Sequence, residues 1–318
     1  MSFHVVCVLN AVVDISLPIP SFPIQAGQHQ RTVDKVVITA GGQATTLLCG
    51  ARLGLQMQAL GNVGHDEMGS LWQKQLTAEG VGVHHMIIRD NWPTSITVVP
   101  SDPEGQHVFL GGSKSVNSGP LLVPEEWNKQ ISKANVLVLD GWSYRSMGPE
   151  VNQEAAQIAN NAGTAIFFDP GPEIRYASKL WTQAMLAAST IVLLTYDEAK
   201  QISGQGLDFE KMAEKIRLMG PEIVLLKLGP SGILAHKDNE TIYHPGFKVK
   251  VRDTTGAGDS LTAAAVYSFV HNHSLDNMAT LANATGAACV QKLGAGVNSP
   301  SKEEIVELLD HAGTNLVL

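Results

Sequence analysis

The hydrophobic pattern of the chain alternates between short apolar runs and longer helical segments. The short runs, each typical of a strand buried on both faces, lie at residues 3–9, 136–139, 165–168, 190–194 and 223–228. Helical patterns lie between them, for example at 150–162 and 209–219. This order predicts an α/β fold with a doubly wound, mostly parallel sheet flanked by helices. Ligands are expected at the carboxyl ends of its strands, where Asp14, Asp140 and Asp169 fall.

Other segments show strict alternation of apolar and polar residues, which is typical of strands with one covered and one exposed face. Residues 31–38, 95–99 and 107–110 alternate in this way, and Gly, Pro and Asp separate the last two. We predict a small antiparallel β-sheet that acts as a lid over the large domain, formed by residues 15–38 and 91–111. The large α/β domain would comprise residues 1–14, 39–90 and 112–318.

Composition excludes several classes of protein. The chain has 318 residues, 44% hydrophobic content and a formal net charge of −8, so binding to nucleic acid or to an anionic membrane is not expected. Cys7, Cys49 and Cys289 are far apart and form no CxxC pair, which argues against a disulfide framework or a zinc site. Neither a signal peptide nor a membrane-spanning run is recognisable, so we expect a cytoplasmic protein.

A glycine-rich segment near the C-terminus indicates chemistry. Gly256 and Gly258 flank Ala257, Asp259 follows at once, and an apolar helical pattern begins behind it. Uncovered backbone N–H groups and the positive end of a helix together suit phosphate. A carboxylate would repel an anion in a simple binding site, but it can take a proton from a nucleophile that attacks phosphate. The segment therefore predicts phosphoryl transfer with Asp259 as the general base.

Other interpretations of this segment are a plain turn that caps a helix, a Walker loop or a dinucleotide fingerprint. No Gly-Lys-Ser/Thr follows, so it is not a Walker loop. Leu261 stands where a dinucleotide fingerprint needs its third glycine, and that fingerprint is expected near the N-terminus, which argues against an oxidoreductase.

Further motifs occur in a fixed order along the chain. They are Asn10 to Asp14, Gly41-Gly42, Ala51 to Gly69, Leu226 to Gly232, Asp253 to Ser260, and Lys292 to Ala295 with Pro300. Together they resemble the ribokinase-like (PfkB) family of carbohydrate and nucleoside kinases over nearly the whole chain. The resemblance implies ATP-dependent phosphorylation of a hydroxyl group on a small sugar-like substrate, held between the lid and the sheet.

The resemblance also implies roles for individual residues. Asp259 would remove the hydroxyl proton while the backbone N–H groups of Gly256, Ala257 and Gly258 hold the developing charge. The substrate would be bound by Asn10, Asp14, Gly41, Gly42, Thr45 and Asp259. The nucleotide would be bound by Thr195, Glu198, Lys227, Gly229, Gly232, Gly256, Gly258 and Asn283.

Two metal ions are implied by the same resemblance. Glu198 would help to place Mg²⁺ through a water molecule, although a glutamate at a helix start can equally be a solvated surface residue. In relatives that use a monovalent cation such as K⁺, the ion would be surrounded by residues that correspond to Asp253, Thr255, Cys289, Gly294 and Asn298.

Two asparagines of the family pattern are replaced in this chain. Thr45, or Thr46 if the gap in the motif falls elsewhere, stands in place of the one that binds the sugar, and Thr195 replaces the other. A nucleoside kinase and a catalytically weak, ligand-binding regulator therefore remain as alternatives to a sugar kinase. Trp142, which follows a strand end, is a candidate for stacking on a sugar or base ring. Exposed lid edges would allow a homodimer.

Overall fold

A nine-stranded sheet forms the centre of the computed structural model, which describes residues 3–111, 122–314, 316 and 318. Its strands, in spatial order, are β13 (Glu240–His244), β12 (Ile233–Lys237), β11 (Ile223–Lys227), β10 (Ile191–Thr195), β9 (Ala165–Asp169), β8 (Val136–Asp140), β1 (His4–Asn10), β4 (Gln56–Gly64) and β5 (Met86–Arg89). The pairings from β11 to β5 are parallel, and β12 and β13 add an antiparallel edge. All the predicted buried strands are present, and the predicted fold class is confirmed.

Helices cover both faces of this sheet because successive strand residues point to opposite sides. Val5, Cys7 and Leu9 enter one hydrophobic core, whereas Val6 and Val8 enter the other. The first core is covered by α1 (Ala44–Arg52), α2 (Glu67–Ala78), α9 (Ala257–Val270), α10 (Leu275–Cys289) and α11 (Lys302–His311). The second is covered by α3 (Glu125–Lys133), α5 (Pro149–Ala162), α6 (Lys179–Ala188), α7 (Tyr196–Ser203) and α8 (Phe209–Arg217), with the short α4 (Ser143–Ser146) after β8.

A second, four-stranded sheet lies where the lid was predicted, in the order β3 (Val37–Ala40), β2 (Val12–Pro18), β6 (Ser95–Ser101) and β7 (Leu110–Gly111). Its outer pairings are antiparallel, but the central pairing of β2 with β6 is parallel. Asp14 lies inside β2 rather than before the sheet. The predicted domain limits at 14/15 and 38/39 therefore fall within strands, and the division into domains stays a prediction.

The strand expected at residues 31–38 is wrong over most of its length. The structure has no strand at 31–36, and β3 begins only at Val37. The β2–β3 ladder ends at the pair Ser16 and Val37, and Pro18 closes β2 without an N–H group to donate. The Val33 N–H still donates to the Pro18 carbonyl at 3.0 Å, but no ladder forms between β2 and residues 31–36.

Several polar residues end neighbouring strands at one edge of the large sheet. Asn10, Asp140, Asp169, Thr195 and Lys227 are the last residues of β1, β8, β9, β10 and β11. Ligands of parallel α/β sheets bind at this edge. None of the helices in the described ranges is long and apolar enough to cross a membrane.

Candidate active site

The glycine-rich segment forms a tight turn into α9. Gly256 precedes the helix with φ of +80°, a left-handed conformation that favours glycine. A Cβ at Gly256 would lie 2.8 Å from the Ala295 Cβ and 3.0 Å from the Thr45 Cγ2, so a larger residue does not fit. Asp259 lies in the first turn of α9, where backbone N–H groups lack helical acceptors. The turn therefore has a backbone shape compatible with the predicted anion cradle, and the cradle itself stays a prediction.

Asp259 lies in a strongly acidic environment. The pKa of its carboxyl group is raised to about 8: burial is the largest cause, Asp169, Asp140 and Asp14 also raise this pKa, and Lys227 lowers it. The group that was predicted to act as base thus has a pKa close to neutrality, as a proton acceptor at physiological pH requires.

Lys227 connects the cradle with the strand-end carboxylates. Its Nζ lies 2.6 Å from the Asp169 Oδ2, and a Cβ placed on Gly258 would lie 3.4 Å from the same Nζ. Thr262 of α9 also donates to the Asp169 Oδ2, at 3.4 Å. Burial alone lowers the pKa of Lys227, but Asp169 and Glu198 outweigh burial and raise it, so the ammonium group stays charged.

Glu198 is a buried residue, only 6% exposed, and not the solvated glutamate of the alternative interpretation. Its Oε2 accepts from the Thr195 N–H at 2.7 Å, and the Thr195 Oγ1 accepts from the Glu198 N–H at 3.4 Å. This reciprocal pair caps α7 and directs the carboxylate toward Lys227 and Asp169. Burial raises the pKa of Glu198, Lys227 lowers it and Asp169 raises it.

The described residues contain no group of three or more His, Cys, Asp or Glu side chains that could hold a metal ion. Glu198 nevertheless suits the predicted contact through water, because one of its oxygens is not used by the helix cap. Mg²⁺ typically keeps several water ligands and binds through one or two carboxylates together with phosphate oxygens.

Asp14 packs against the glycine pair at the start of α1. A Cβ on Gly41 would lie 2.0 Å from the Asp14 Oδ2, so only glycine allows this approach. Burial raises the pKa of Asp14 to about 6, the hydrogen bond from the Gly42 N–H lowers this pKa, and Asp253 raises it. Asn10 lies nearby at the end of β1, where its Nδ2 donates to the Ser95 Oγ of the lid at 3.3 Å.

Asp140 is a site residue that the sequence-based assignment did not include. Its Oδ1 accepts from the Ser143 N–H at 2.9 Å, and burial raises its pKa to about 6 although the Ser143 hydrogen bonds lower it. The Gln43 amide, oriented so that both ends are paired, accepts from the Asp140 N–H at 3.2 Å. Trp142 follows and is 48% exposed. In the sequence, the position of Asp140 and Asp169 at the ends of predicted strands was the feature that could have identified them as site residues.

The threonines that replace the family asparagine have structural contacts. Thr45 is fully buried, and its Oγ1 accepts from the Gly296 N–H at 3.1 Å. The Thr46 Oγ1 donates to the Asp259 carbonyl at 3.1 Å and so anchors the first turn of α9. The Thr45 hydroxyl accepts this bond and keeps its own hydrogen to donate, and its role as a substrate ligand stays a prediction.

The five residues predicted to surround a monovalent cation are neighbours. The Asp253 Oδ1 accepts from the Thr255 N–H at 2.9 Å, and its Oδ2 accepts from the Gly294 N–H at 2.8 Å. The Cys289 thiol donates to the Thr255 carbonyl at 3.7 Å. The Asn298 Nδ2 lies 3.6 Å from a Cβ placed on Gly294. Oxygen donors for K⁺ are therefore grouped here, but their role stays a prediction.

The loop 294–299 joins this group to the lid. The Thr39 Oγ1 of β3 accepts from the Val297 N–H at 3.1 Å and donates to the Gln75 Oε1 at 3.2 Å. A Cβ on Gly296 would lie 2.0 Å from the Ala40 carbonyl oxygen. The loop therefore contacts the lid on one side and Thr45 and the glycine turn on the other.

The turn predicted beneath the nucleotide follows β11. Gly229 has φ of +58° and Gly232 has φ of +99°. A Cβ on Gly232 would lie 2.0 Å from the His244 carbonyl oxygen, and the neighbouring Pro245 carbonyl accepts from the Asn283 Nδ2 at 2.9 Å. These residues form a second group, separated along the sheet from Asp14 and Asn10.

The glycine turn with Asp259, at the ligand edge of an α/β sheet, agrees with the class of protein predicted from the sequence, an α/β phosphotransferase. Comparison with known proteins agrees. Residues 3–302 match the pfkB family of carbohydrate kinases, and the chain belongs to this family. The predicted family resemblance is thus confirmed, and the protein is a carbohydrate kinase.

Relatives in this family have related activities. The chain is 26% identical to a ribokinase of Arabidopsis thaliana over 315 residues, which cover 96% of this chain and 80% of that protein. It is 24% identical to a nucleoside kinase of Methanothermobacter thermautotrophicus, covering 84% and 83% of the two chains. The solved structure of Arabidopsis ribokinase with ribose and ATP has the same fold, with a TM-score of 0.81, 24% identity and coverage of 97% and 99%.

Proposed function

We propose that the protein transfers the γ-phosphoryl group of ATP to a hydroxyl group of a small sugar, with Asp259 as the general base. The observation that carries this proposal is the position of Asp259 in the first turn of α9, directly after the glycine turn, with a pKa raised to about 8. General bases work best when their pKa lies near the operating pH.

The chain's own residues have separate tasks in this mechanism. The Asp14 carboxylate accepts hydrogen bonds from substrate hydroxyl groups and orients the one that reacts. Asp259 takes the proton of that hydroxyl as its oxygen attacks the γ-phosphorus of ATP, and the bond from this phosphorus to the oxygen that bridges it to the β-phosphate breaks, which releases ADP. The N–H groups of Gly256, Ala257 and Gly258 donate to the phosphoryl oxygens, whose charge they stabilise in the transition state.

The negative charge of the ATP phosphates needs more positive charge than one lysine supplies. Lys227 is the cation that acts on Asp259, against the carboxylates Asp169, Asp140 and Asp14. We therefore propose that Mg²⁺ binds with ATP and that Glu198 contacts the ion through water, with Lys227 beside the cradle. The oxygens around Asp253 are proposed as a K⁺ site.

A nucleoside is the second candidate substrate. Trp142 is exposed beside the buried Asp140 carboxylate, and an indole ring in this position can stack on a base as well as on a sugar. The same binding residues would serve a regulator without turnover, so activity has to be measured directly.

We also propose that a second copy of the chain covers the outer face of the lid. Strand pairing places Ile15, Ile38, Val98 and Leu110 in one row across the lid sheet. Ile38 and Leu110 are 43% and 53% exposed. Apolar patches of this kind mark interfaces, and a twofold axis lets one row pack on its own copy.

The test is the release of ADP with pentoses, hexoses and nucleosides, measured for the wild type and for Asp259→Asn. The variant keeps the shape but cannot accept a proton, so kcat should fall at least about 100-fold while calorimetry shows ATP and substrate affinities within a few-fold. Glu303→Gln in the first turn of α11 is the matched control and should leave kcat unchanged. Near-normal turnover by Asp259→Asn would exclude this mechanism.

A further inference from the structure

Arg89 is an arginine without a carboxylate partner. Three of the arginines in the chain are partly buried: Arg52, Arg89 and Arg217. Arg52 pairs with Glu79 at 2.6 Å and Arg217 pairs with Glu214 at 3.1 Å. Among the residues that the structure describes, no Asp or Glu oxygen lies within 4.0 Å of the Arg89 guanidinium. Arg89 therefore differs from the two arginines with comparable burial.

The rest of the chain cannot supply the missing charge. The residues outside the described ranges are 1, 2, 112–121, 315 and 317, and they include neither Asp nor Glu. Arg89 is partly exposed, so its guanidinium can be reached by a ligand, and this group is shaped to bind carboxylate or phosphate through two parallel hydrogen bonds. A carboxylate or phosphate that pairs with Arg89 would therefore come from a ligand rather than from an Asp or Glu of this chain.

Asn62, the neighbour of Arg89, carries no negative charge, and its unpaired group is a hydrogen-bond donor. The Arg89 Nε donates to the Asn62 Oδ1 at 3.0 Å, which fixes the orientation of the Asn62 amide. The Asn62 side chain is buried, at 2% exposed, and its Nδ2 has no acceptor within the described ranges. Asn62 thus holds the guanidinium in place without offsetting its charge.

These residues lie at the substrate end of the site. Arg89 ends β5, and Asn62 pairs in register with Asn10, whose amide donates to Ser95 of the lid. Ser95 and Asp14 lie on the same face of the lid sheet. β5 lies two strands from β1, about 10 Å along the sheet edge.

The nucleotide phosphates cannot be the anion at Arg89. Lys227, which marks the phosphate end, ends β11, six strand spacings or about 30 Å from β5 along the sheet. Arg89 is nearer to Asn10, which ends β1 two strand spacings away, than to Lys227, so an anionic group at Arg89 is better placed on the acceptor than on the nucleotide.

We propose that Arg89 binds a phosphate or carboxylate group of the acceptor, so that the substrate is a phosphosugar or a sugar acid rather than a neutral sugar. This inference rests on the proposed kinase function. Arg89 is the specificity-determining residue, and Asn62 positions it.

The test compares charged and neutral acceptors of matched size. ADP release is measured with ribose and ribose 5-phosphate, fructose and fructose 6-phosphate, and glucose and gluconate, which separates phosphate from carboxylate recognition. For the wild type, kcat/KM should be at least about 10-fold higher for one charged compound than for its neutral partner. Arg89→Met should lower kcat/KM for that compound at least about 30-fold and leave the neutral partner within about 3-fold.

Two further variants control the experiment. Arg89→Lys keeps the charge but loses the planar fork and should retain part of the preference. Arg217→Met removes an arginine of similar burial far from the site and should leave the preference unchanged. Equal loss for charged and neutral acceptors, or better use of neutral sugars by the wild type, overturns the proposal for Arg89. If no acceptor releases ADP, the proposed kinase function fails instead. Calorimetry then measures the affinity of the three charged probes for the wild type and for Arg89→Met. Equal affinities for the two proteins, or no binding to the wild type, overturn the proposal for Arg89.

Discussion

Lys227 and Asp169 form an ion pair of 2.6 Å between the Nζ and Oδ2 atoms, although their strands β11 and β9 are separated by β10. The two charges shift the pKa of Asp259 in opposite directions, Asp169 upward and Lys227 downward. The pair therefore combines a cation beside the glycine turn with a carboxylate that keeps the proton affinity of Asp259, the proposed base, high.

The first prediction concerns the pH dependence of kcat/KM. Because Asp259 must be deprotonated to act as base, kcat/KM of the wild type should rise with pH and level off above about 8. Lys227→Met should shift the midpoint of this rise to higher pH, and Asp169→Asn should shift it to lower pH. Lys215→Met, on the distant α8, is the control. If the midpoint of the rise in kcat/KM is unchanged in both site variants, Asp259 is not the titrating group.

The second prediction concerns the stability of the protein without ligands. Burial raises the pKa of Asp259 from 3.8 in the unfolded chain to about 8, so the folded state binds the proton more tightly. The stability contribution of this group is present below pH 3.8 and is lost as the pH rises toward 8. Asp259→Asn should thus raise the Tm at pH 8.5 more than at pH 5, as measured by calorimetric melting. A Tm difference that does not depend on pH contradicts the raised pKa.

The third prediction concerns Asp14. Asp14→Asn should weaken binding of the acceptor at least about 30-fold and leave ATP affinity within a few-fold, because only the acceptor contacts this carboxylate. Since burial raises its pKa to about 6, acceptor binding by the wild type should strengthen as the pH rises through 6. Calorimetry with each ligand separates the two affinities, and Asp34→Asn near the lid serves as the control. Equal losses for both ligands point to a structural role.

The fourth prediction concerns the lid. If a second copy covers the row of apolar residues, Ile38→Lys or Leu110→Lys should convert a dimer into a monomer in sedimentation analysis, since burying a lysine in an apolar interface is costly. Ile88→Lys on β5, where the isoleucine is 55% exposed, is the matched control and should leave the mass unchanged. A wild-type monomer at micromolar concentration refutes the interface.

Sequence patterns were sufficient for the elements whose structure is local. The buried strands and the turn at Gly256 follow from apolar runs and from glycine, and they appear where they were predicted. The strand at 31–36 fails because alternation shows that a segment can pair but not whether a partner strand reaches it. Here the ladder with β2 stops at Ser16 and Val37, and the contact beyond it is the hydrogen bond from the Val33 N–H to the Pro18 carbonyl.

The contacts that complete the site could not be predicted in this way, because they join distant parts of the chain. Thr45 was interpreted as a substrate residue from its place in a motif, but its hydroxyl binds Gly296, which is 251 positions away. The pairing of Asp169 with Lys227 likewise depends on the order of strands in the sheet. Strand-end position indicated Asp140 and Asp169 as ligand-facing but gave neither a role.

The contact of Thr39 with Val297 has a consequence for biosynthesis. Protein synthesis proceeds from the N-terminus, and the lid strand and α1 emerge long before the loop 294–299 that joins them to the glycine turn. Until that loop has left the ribosome, Gly256 has no Ala295 against which to pack and Thr45 has no partner. A nascent chain therefore carries Asp259 and the glycines before their packing partners exist, and the predicted cradle can be completed only after the loop 294–299 has been synthesised.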